Sequence, residues 1–343
     1  MYPLLRPLLF SMDPERAHRL SLHALRVGGS NPVGRASIRA LYAPRKQQPV
    51  EVFGLRFPNA LGLAAGYDKD GLGWRGLAAM GFGHVEVGTV TVRAQAGNPK
   101  PRVFRLQEDR AVINRLGFPG LGADFVAARL AGGERPCGVI LGVNVGKNKD
   151  TPLEDAASDY VPLVERFAAL ADYLVVNVSS PNTPQLRELQ TGAALRALLT
   201  TVRQARDARA QALGRSIPLL VKLAPDLDDA ALDDALGAVD DAAIDGVIAT
   251  NTTISREGLR SPHKGEAGGL SGAPLTAMST ALIHKIVQRC DKPVIAVGGV
   301  MGLDDARAKL DAGAKLVQVY TGLVYGGPGL VRDIVEGLAA QSP

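Results

Sequence analysis

Cysteine is nearly absent: the 343 residues contain two, Cys137 and Cys290, far apart in the chain. That excludes a disulfide framework, gives no metal-ligand spacing, and points to a reducing compartment. No run of roughly 20 apolar residues occurs, so no segment reads as a membrane span. The apolar stretch 2–10 is interrupted by Arg6 and Pro7 and leads into no small-residue cleavage site, which argues against a secretory signal. Aromatics amount to 5%, and they are not interleaved with basic residues, so nucleic acid is not an expected partner. The two alanine-rich stretches, near 127 and 230, read as helices rather than as low complexity.

What positive charge the chain has is concentrated at one end. The total is +5, yet residues 1–46 alone hold eight Lys/Arg against Asp13 and Glu15, leaving the remainder close to neutral. Within that segment Asp13-Pro14-Glu15 reads as an N-cap followed by proline at the first helical position, and Gly28-Gly29 as the stop. Ala17, Leu20, Ala24 and Val27 share one face of this helix; Arg16, Arg19, His23 and Arg26 decorate the others. Such a basic amphipathic helix suits a surface-lying membrane anchor, each basic residue contributing about 1 kcal/mol near anionic lipid. It equally suits a helix packed on the main domain with a solvated basic face, and composition does not choose between them.

Residues 50–59 alternate like a hairpin leading into a larger domain, which places a boundary near 46: an N-terminal helical segment, 1–46, and a catalytic domain, 47–343. Thereafter short apolar runs at 60–64, 84–87, 138–143, 173–178, 218–223, 244–249, 293–297 and 316–319 alternate with helical stretches such as 192–213 and 226–239. Eight strand–helix units in this length, with 46% hydrophobic residues to fill a core, predict a (β/α)8 TIM barrel preceded by an amphipathic helical extension.

In such a barrel the C-terminal strand ends form the active-site mouth. Here they carry Ala65 through Lys69, Gly88-Thr89, Asn144, Asn177 with Ser180, Lys222, Thr250 through Thr252, Gly298-Gly299 and Tyr320-Thr321-Gly322. Pro181 and Pro184 should stiffen the loop that holds Ser180. No carboxylate pair stands there for glycoside hydrolysis, and no His/Asp/Glu cluster for a divalent metal. Bare glycine amides after the seventh and eighth strands suit a phosphate. Lys222, between apolar neighbours, needs an anionic partner or must lose its charge. A reduced flavin ring would supply that partner; a Schiff-base role is the competing reading. Asn144, Asn177 and Asn251 could together bind a planar, amide-rich molecule such as a pyrimidine.

Six strings carry a more specific signal. They are Ala64 through Asp70 (AAGYDKD), Asn114 through Phe118 (NRLGF), Gly142 through Asn148 (GVNVGKN), Asn177 through Pro184 (NVSSPNTP), Ala249 through Thr253 (ATNTT) and Gly268 through Gly272 (GGLSG). In this order they resemble the quinone-dependent, class 2 dihydroorotate dehydrogenases, over residues 13–329. The resemblance implies oxidation of dihydroorotate to orotate in pyrimidine biosynthesis, with FMN as hydride acceptor and a membrane quinone, ubiquinone or menaquinone, as second substrate. It makes Ser180 the catalytic base, where class 1 enzymes carry cysteine, and places Lys222 beside the flavin. The implied FMN residues are Ala65, Gly66, Tyr67, Asp68, Lys69, Thr89, Asn144, Asn177, Lys222, Thr250, Gly272, Gly299, Tyr320 and Thr321. For dihydroorotate and orotate they are Lys69, Asn114, Arg115, Leu116, Gly117, Phe118, Asn177, Asn182, Asn251 and Thr252. His18, Arg102 and Tyr320 match a quinone tunnel beneath an N-terminal helical cap that rests on the membrane.

The expectation is thus a monomeric, peripheral enzyme on the cytoplasmic face of the inner membrane. Rival readings are a class 1 dehydrogenase, a lyase using Lys222 as a Schiff-base amine, and a membrane-docking scaffold. A serine is a poor base unless something accepts its proton; a water chain or Thr183 are the options the sequence offers.

Overall fold

A computed structural model describes residues 2–183, 185–190 and 192–340. The stiffening expected from Pro184, and the outermost ends of the two segments at 1 and 341–343, lie outside the described residues.

Three helices open the chain: α1 (Tyr2–Ser11), α2 (Pro14–Gly29) and α3 (Pro32–Tyr42). A hairpin follows, β1 (Val50–Val52) and β2 (Leu55–Phe57). Its two-residue turn, Phe53-Gly54, has positive φ at both positions, 57° and 70°, matching the twist of the flanking strands. The chain then alternates: β3 (Leu61–Leu63), α4 (Trp74–Ala79), β4 (His84–Val90), an excursion through β5 (Val103–Leu106) and β6 (Ala111–Asn114), α5 (Ala123–Ala131), β7 (Ile140–Val145), α6 (Ala157–Phe167), β8 (Tyr173–Asn177), α7 (Gly192–Leu213), β9 (Leu219–Leu223) and α8 (Asp229–Asp241). It closes with β10 (Gly246–Ala249), β11 (Gly269–Gly272), α9 (Thr276–Arg289), β12 (Val294–Val297), α10 (Leu303–Asp311), β13 (Leu316–Val319), α11 (Thr321–Gly326) and α12 (Gly329–Ala339). β3, β4, β7, β8, β9, β10, β12 and β13 pair in parallel and close on themselves. The fold is the (β/α)8 barrel, and its eight strands fall on the eight apolar runs of the sequence.

Parallel strands buried on both faces need two cores. The outer one lies between strands and helices; the inner one gathers Val175, Leu220, Ile248, Ile295 and Leu316 around the axis. Phe57 of the hairpin, fully buried, joins the inner core and seals the barrel floor with its ring 5.4 Å from His84, edge to face. Phe57→Ala is expected to cost about 3–5 kcal/mol, the range for emptying a large buried aromatic site. Chemical denaturation would show it; an unchanged midpoint would mean the hairpin does not seal the floor.

Two features depart from the sequence reading. β5, β6 and β11 form an antiparallel sheet at the mouth, which pairs Asn114 with Gly269 across more than 150 residues of chain. Each strand is four residues long and lacks clean alternation, so nothing local announces it. The second concerns α2. Asp13 caps it as expected, its carboxylate accepting from the Arg16 N–H at 2.9 Å, and the helix ends at Gly29. Its buried face, however, is not the stripe Ala17, Leu20, Ala24, Val27: Ala17 is buried, but Leu20 and Val27 are exposed. The helix packs instead through its glycine, where a Cβ on Gly29 would sit 2.4 Å from the Gly76 backbone nitrogen of α4. A Cβ on Gly76 would in turn meet the Leu25 carbonyl oxygen at 2.3 Å. Missing side chains let the two backbones touch.

Candidate active site

The floor of the mouth is a buried polar layer. From β7, Asn144 donates to Glu86 of β4 at 2.8 Å and accepts from the Thr89 hydroxyl at 2.6 Å. Asn177, at the end of β8, donates to Thr89 Oγ1 at 2.9 Å and to Asn144 Oδ1 at 3.2 Å. Gln318 of β13 donates to the other Glu86 oxygen at 2.6 Å. These shared bonds hold the buried amides rigidly, with Gln318 Oε1 left without a partner among the described residues. Asn251 extends it upward, donating to Ser179 Oγ at 2.8 Å.

Above this layer lies one cleft. It is lined by Ala65, Gly66, Lys69, Thr89, Asn114, Leu116, Gly117, Phe118, Asn177, Ser180, Asn182, Lys222, Thr250, Asn251, Thr252, Gly272, Gly299, Tyr320 and Thr321. Nearly every residue implied for cofactor and substrate therefore shares one cavity. The remaining four, Tyr67, Asp68, Asn144 and Arg115, stand outside its lining. Asp68 is buried, its two oxygens accept the Leu72 and Gly73 N–H groups ahead of α4, both at 2.8 Å, and burial raises its pKa to about 6. Asn144 acts beneath the cleft, and Tyr67 faces a second cavity. The Arg115 side chain turns away to Glu266 at 2.6 Å and to the Pro101 carbonyl, over the Phe104 ring.

Ser180 is buried, and its Oγ accepts the Asn182 N–H at 3.2 Å, a contact that favours negative charge on that oxygen. Thr183 Oγ1 is also buried and has no hydrogen-bond partner among the described residues. Lys222 opens on the cleft from β9, where burial lowers its pKa and the Glu86 carboxylate partly opposes that shift. Among the described residues no hydrogen bond meets its ammonium. Lys69 donates to the Gly66 carbonyl at 2.6 Å, and burial brings its pKa down to about 8, against the pull of Asp70.

A second cavity, about 410 Å³ and mostly apolar, lies between α1, α2 and α3 and the barrel. Lys69, Asn114, Leu116 and Tyr320 line both cavities, so the two meet there. His18 reaches the second cavity from α2 and stands edge to face on Tyr67, ring centres 4.9 Å apart; Tyr67 does the same to Tyr320 at 5.8 Å. Burial, with the Lys69 charge, lowers the His18 pKa to about 4, so its imidazole is neutral near pH 7. Arg102 is not part of this lining. It lies behind Glu15, which is, binding it at 3.0–3.2 Å and holding the Ala96 and Asn98 carbonyls. Outside, Leu4, Leu8, Leu20, Val27, Val33 and Leu41 are exposed beside Arg16, Arg19 and Arg26. No helix among the described residues is long and apolar enough to cross a membrane.

Several residues of the site escaped the sequence reading. Ser271 hydrogen-bonds Thr321 at 2.8 Å and lines the cleft with Gln318. Asp226, read as the start of a helix, lies before it, because Asp228 is the cap of α8. It pairs instead with Arg187 at 2.8 Å.

One cleft lined by polar groups from the C-terminal ends of several strands is where (β/α)8-barrel enzymes carry their active sites. The dihydroorotate dehydrogenase family model matches residues 48–341. A relative from Flavobacterium lutescens, Dihydroorotate dehydrogenase (quinone), is 51% identical over 342 residues, 98% of this chain and 96% of its own. Another of that name, from Anaeromyxobacter sp. strain Fw109-5, is 52% identical over 99% of this chain and 92% of its own. The crystal structure of DHODH in complex with ferulenol from Eimeria tenella superposes with a TM-score of 0.86 at 38% identity, covering 96% of this chain and 93% of that one. The chain belongs to the dihydroorotate dehydrogenase family.

Proposed function

We propose that this chain is a quinone-dependent dihydroorotate dehydrogenase that uses FMN. One observation carries the reading: a polar cleft holding Ser180 and Lys222 meets, at Lys69, Asn114, Leu116 and Tyr320, an apolar cavity beneath the N-terminal helices. The residues suit FMN. Lys222 is a buried amine that no hydrogen bond meets among the described residues, and Gly298 and Gly299, with φ of 105° and 74°, turn the backbone at the expected phosphate corner as side-chain-bearing residues rarely do. Lys222 and the amides of Gly299 and Thr321 would hold it, and when bound it supplies the hydride acceptor.

Within that frame each side chain has a task. Ser180 takes the C5 proton of dihydroorotate as hydride leaves C6 for the acceptor, and its own hydroxyl proton passes to a water chain or by way of Thr183 to solvent. Asn177, Asn182, Asn251 and Thr252 match the planar, amide-rich ring. Lys69 meets the substrate carboxylate. The exposed leucines and valines of α1–α3, with the arginines between them, suit a peripheral contact with the cytoplasmic face of the inner membrane, from which ubiquinone or menaquinone would enter the apolar cavity. A monomer suffices, since one chain supplies every group named.

Lys69 gives the reading a pH signature. Its ammonium is charged below about pH 8 and neutral above. KM for dihydroorotate is expected to be flat below that point and to rise roughly tenfold per pH unit above it, as a single titrating group requires. Lys69→Met should raise KM and remove the inflection in steady-state assays. The test of the whole reading is the visible spectrum of FMN-loaded protein, which should bleach with anaerobic dihydroorotate and recover with a soluble ubiquinone analogue. Failure to bleach would refute the activity; failure to recover would refute the quinone.

A further inference from the structure

We propose that the Arg187–Asp226 ion pair is a positioning device that sets Ser180 against the substrate by locking three barrel loops to one another; this rests on the role given to Ser180 above. Arg187 lies in the short turn Leu186–Gln190 that follows β8. Its guanidinium reaches three ways: Nε donates to the Ser179 carbonyl at 3.0 Å, Nη2 to the Thr252 carbonyl at 2.7 Å, and Nη1 to Asp226 Oδ2 at 2.8 Å. The other carboxylate oxygen of Asp226 accepts the Thr253 hydroxyl and the Ile254 N–H, the latter at 3.2 Å. The loops after β8, β9 and β10 therefore converge on one ion pair.

Neither residue lines the cleft, so neither touches substrate. What they hold does. Ser179 immediately precedes Ser180, and Thr252 lines the cleft opposite. A planar fork with donors in fixed directions can span three loops at once, and a single lysine ammonium cannot reproduce those angles. The Arg187 and Asp226 side chains are 21% and 17% exposed, so solvent weakens the Coulomb attraction. Their contribution is geometric more than energetic. A separate tie, the Ala224 N–H donated to Gln190 Oε1 at 2.9 Å, also joins the loops after β8 and β9. Loss of Arg187 should thus loosen the serine loop without opening the barrel.

The test uses FMN-loaded Arg187→Ala, Arg187→Lys, Asp226→Ala and the Arg187→Ala/Asp226→Ala double variant. Anaerobic stopped-flow measures flavin reduction by dihydroorotate and reoxidation by a soluble quinone analogue; calorimetry measures orotate binding. In Arg187→Ala, reduction should slow about 100-fold, the scale of a misplaced catalytic group. Reoxidation should stay within about twofold and orotate Kd within about threefold, a split that general damage would not give. Arg187→Lys should recover only part of the loss, and the double variant should be no slower than Arg187→Ala, as for residues acting as one unit. Hydrogen exchange should quicken at 178–183 and 250–254 alone. Unchanged reduction, unchanged exchange in those segments, or equal loss in both half-reactions would overturn the proposal. If exchange quickens there but dihydroorotate fails to bleach even the unaltered protein, the reading of Ser180 has failed rather than the ion pair.

Discussion

Ser180→Ala is expected to slow reduction of the bound flavin by dihydroorotate about 1,000-fold, in the middle of the range for loss of a general base. FMN content and reoxidation by quinone should not change. The expectation follows from placement: Ser180 is buried in the cleft, two residues from a backbone N–H that already donates to its oxygen. Alanine removes the oxygen and disturbs little else, because Asn251 and Asn177 are tied to Ser179, not to Ser180. Anaerobic stopped-flow in the visible flavin band would resolve the flavin step from all others. A variant reduced as fast as the unaltered protein would remove Ser180 from the chemistry.

Lys222→Met should lower the same rate by about 100- to 1,000-fold, the scale for removing one fixed charge aimed at developing negative charge. It should also make the bound flavin harder to reduce, seen as a more negative midpoint potential. Methionine keeps the volume and flexibility of the side chain and spares the fold a desolvated ammonium, so thermal stability should hold or rise. Potential and rate must fall together. A variant with unchanged potential would place the Lys222 charge away from the electron-accepting group.

Much of this was legible in the sequence, and the reasons are local. Each barrel strand is a short apolar run, since a parallel strand is buried on both faces, and the residue after each run must stand at the mouth. Asn177, Ser180, Lys222 and Asn251 were found in that way, and the family-like strings narrowed the chemistry around them. What escaped depends on distance along the chain. Arg187 is an ordinary helix-turn arginine until Thr252 and Asp226 fold beside it. Arg115 sits inside a family-like string, yet its side chain is drawn off by Glu266, 151 residues away. The packing of the N-terminal helix was open in the sequence for a related cause. Leu20 and Val27 suit a membrane surface or a packed face equally in a one-dimensional pattern; they are exposed, and the helix meets α4 at Gly29, through the absence of a side chain.

That glycine contact bears on heredity as well as on packing. The gap between α2 and the barrel is set by Gly29 and Gly76, which do not line the cavity beside them. An added Cβ at either position meets backbone at 2.3–2.4 Å, so α2 and α4 must move apart to admit it, and with them the wall of the chamber. Lineages that adapt the chamber to a bulkier guest, or escape a blocking one, can therefore do so without altering a single residue that the guest meets.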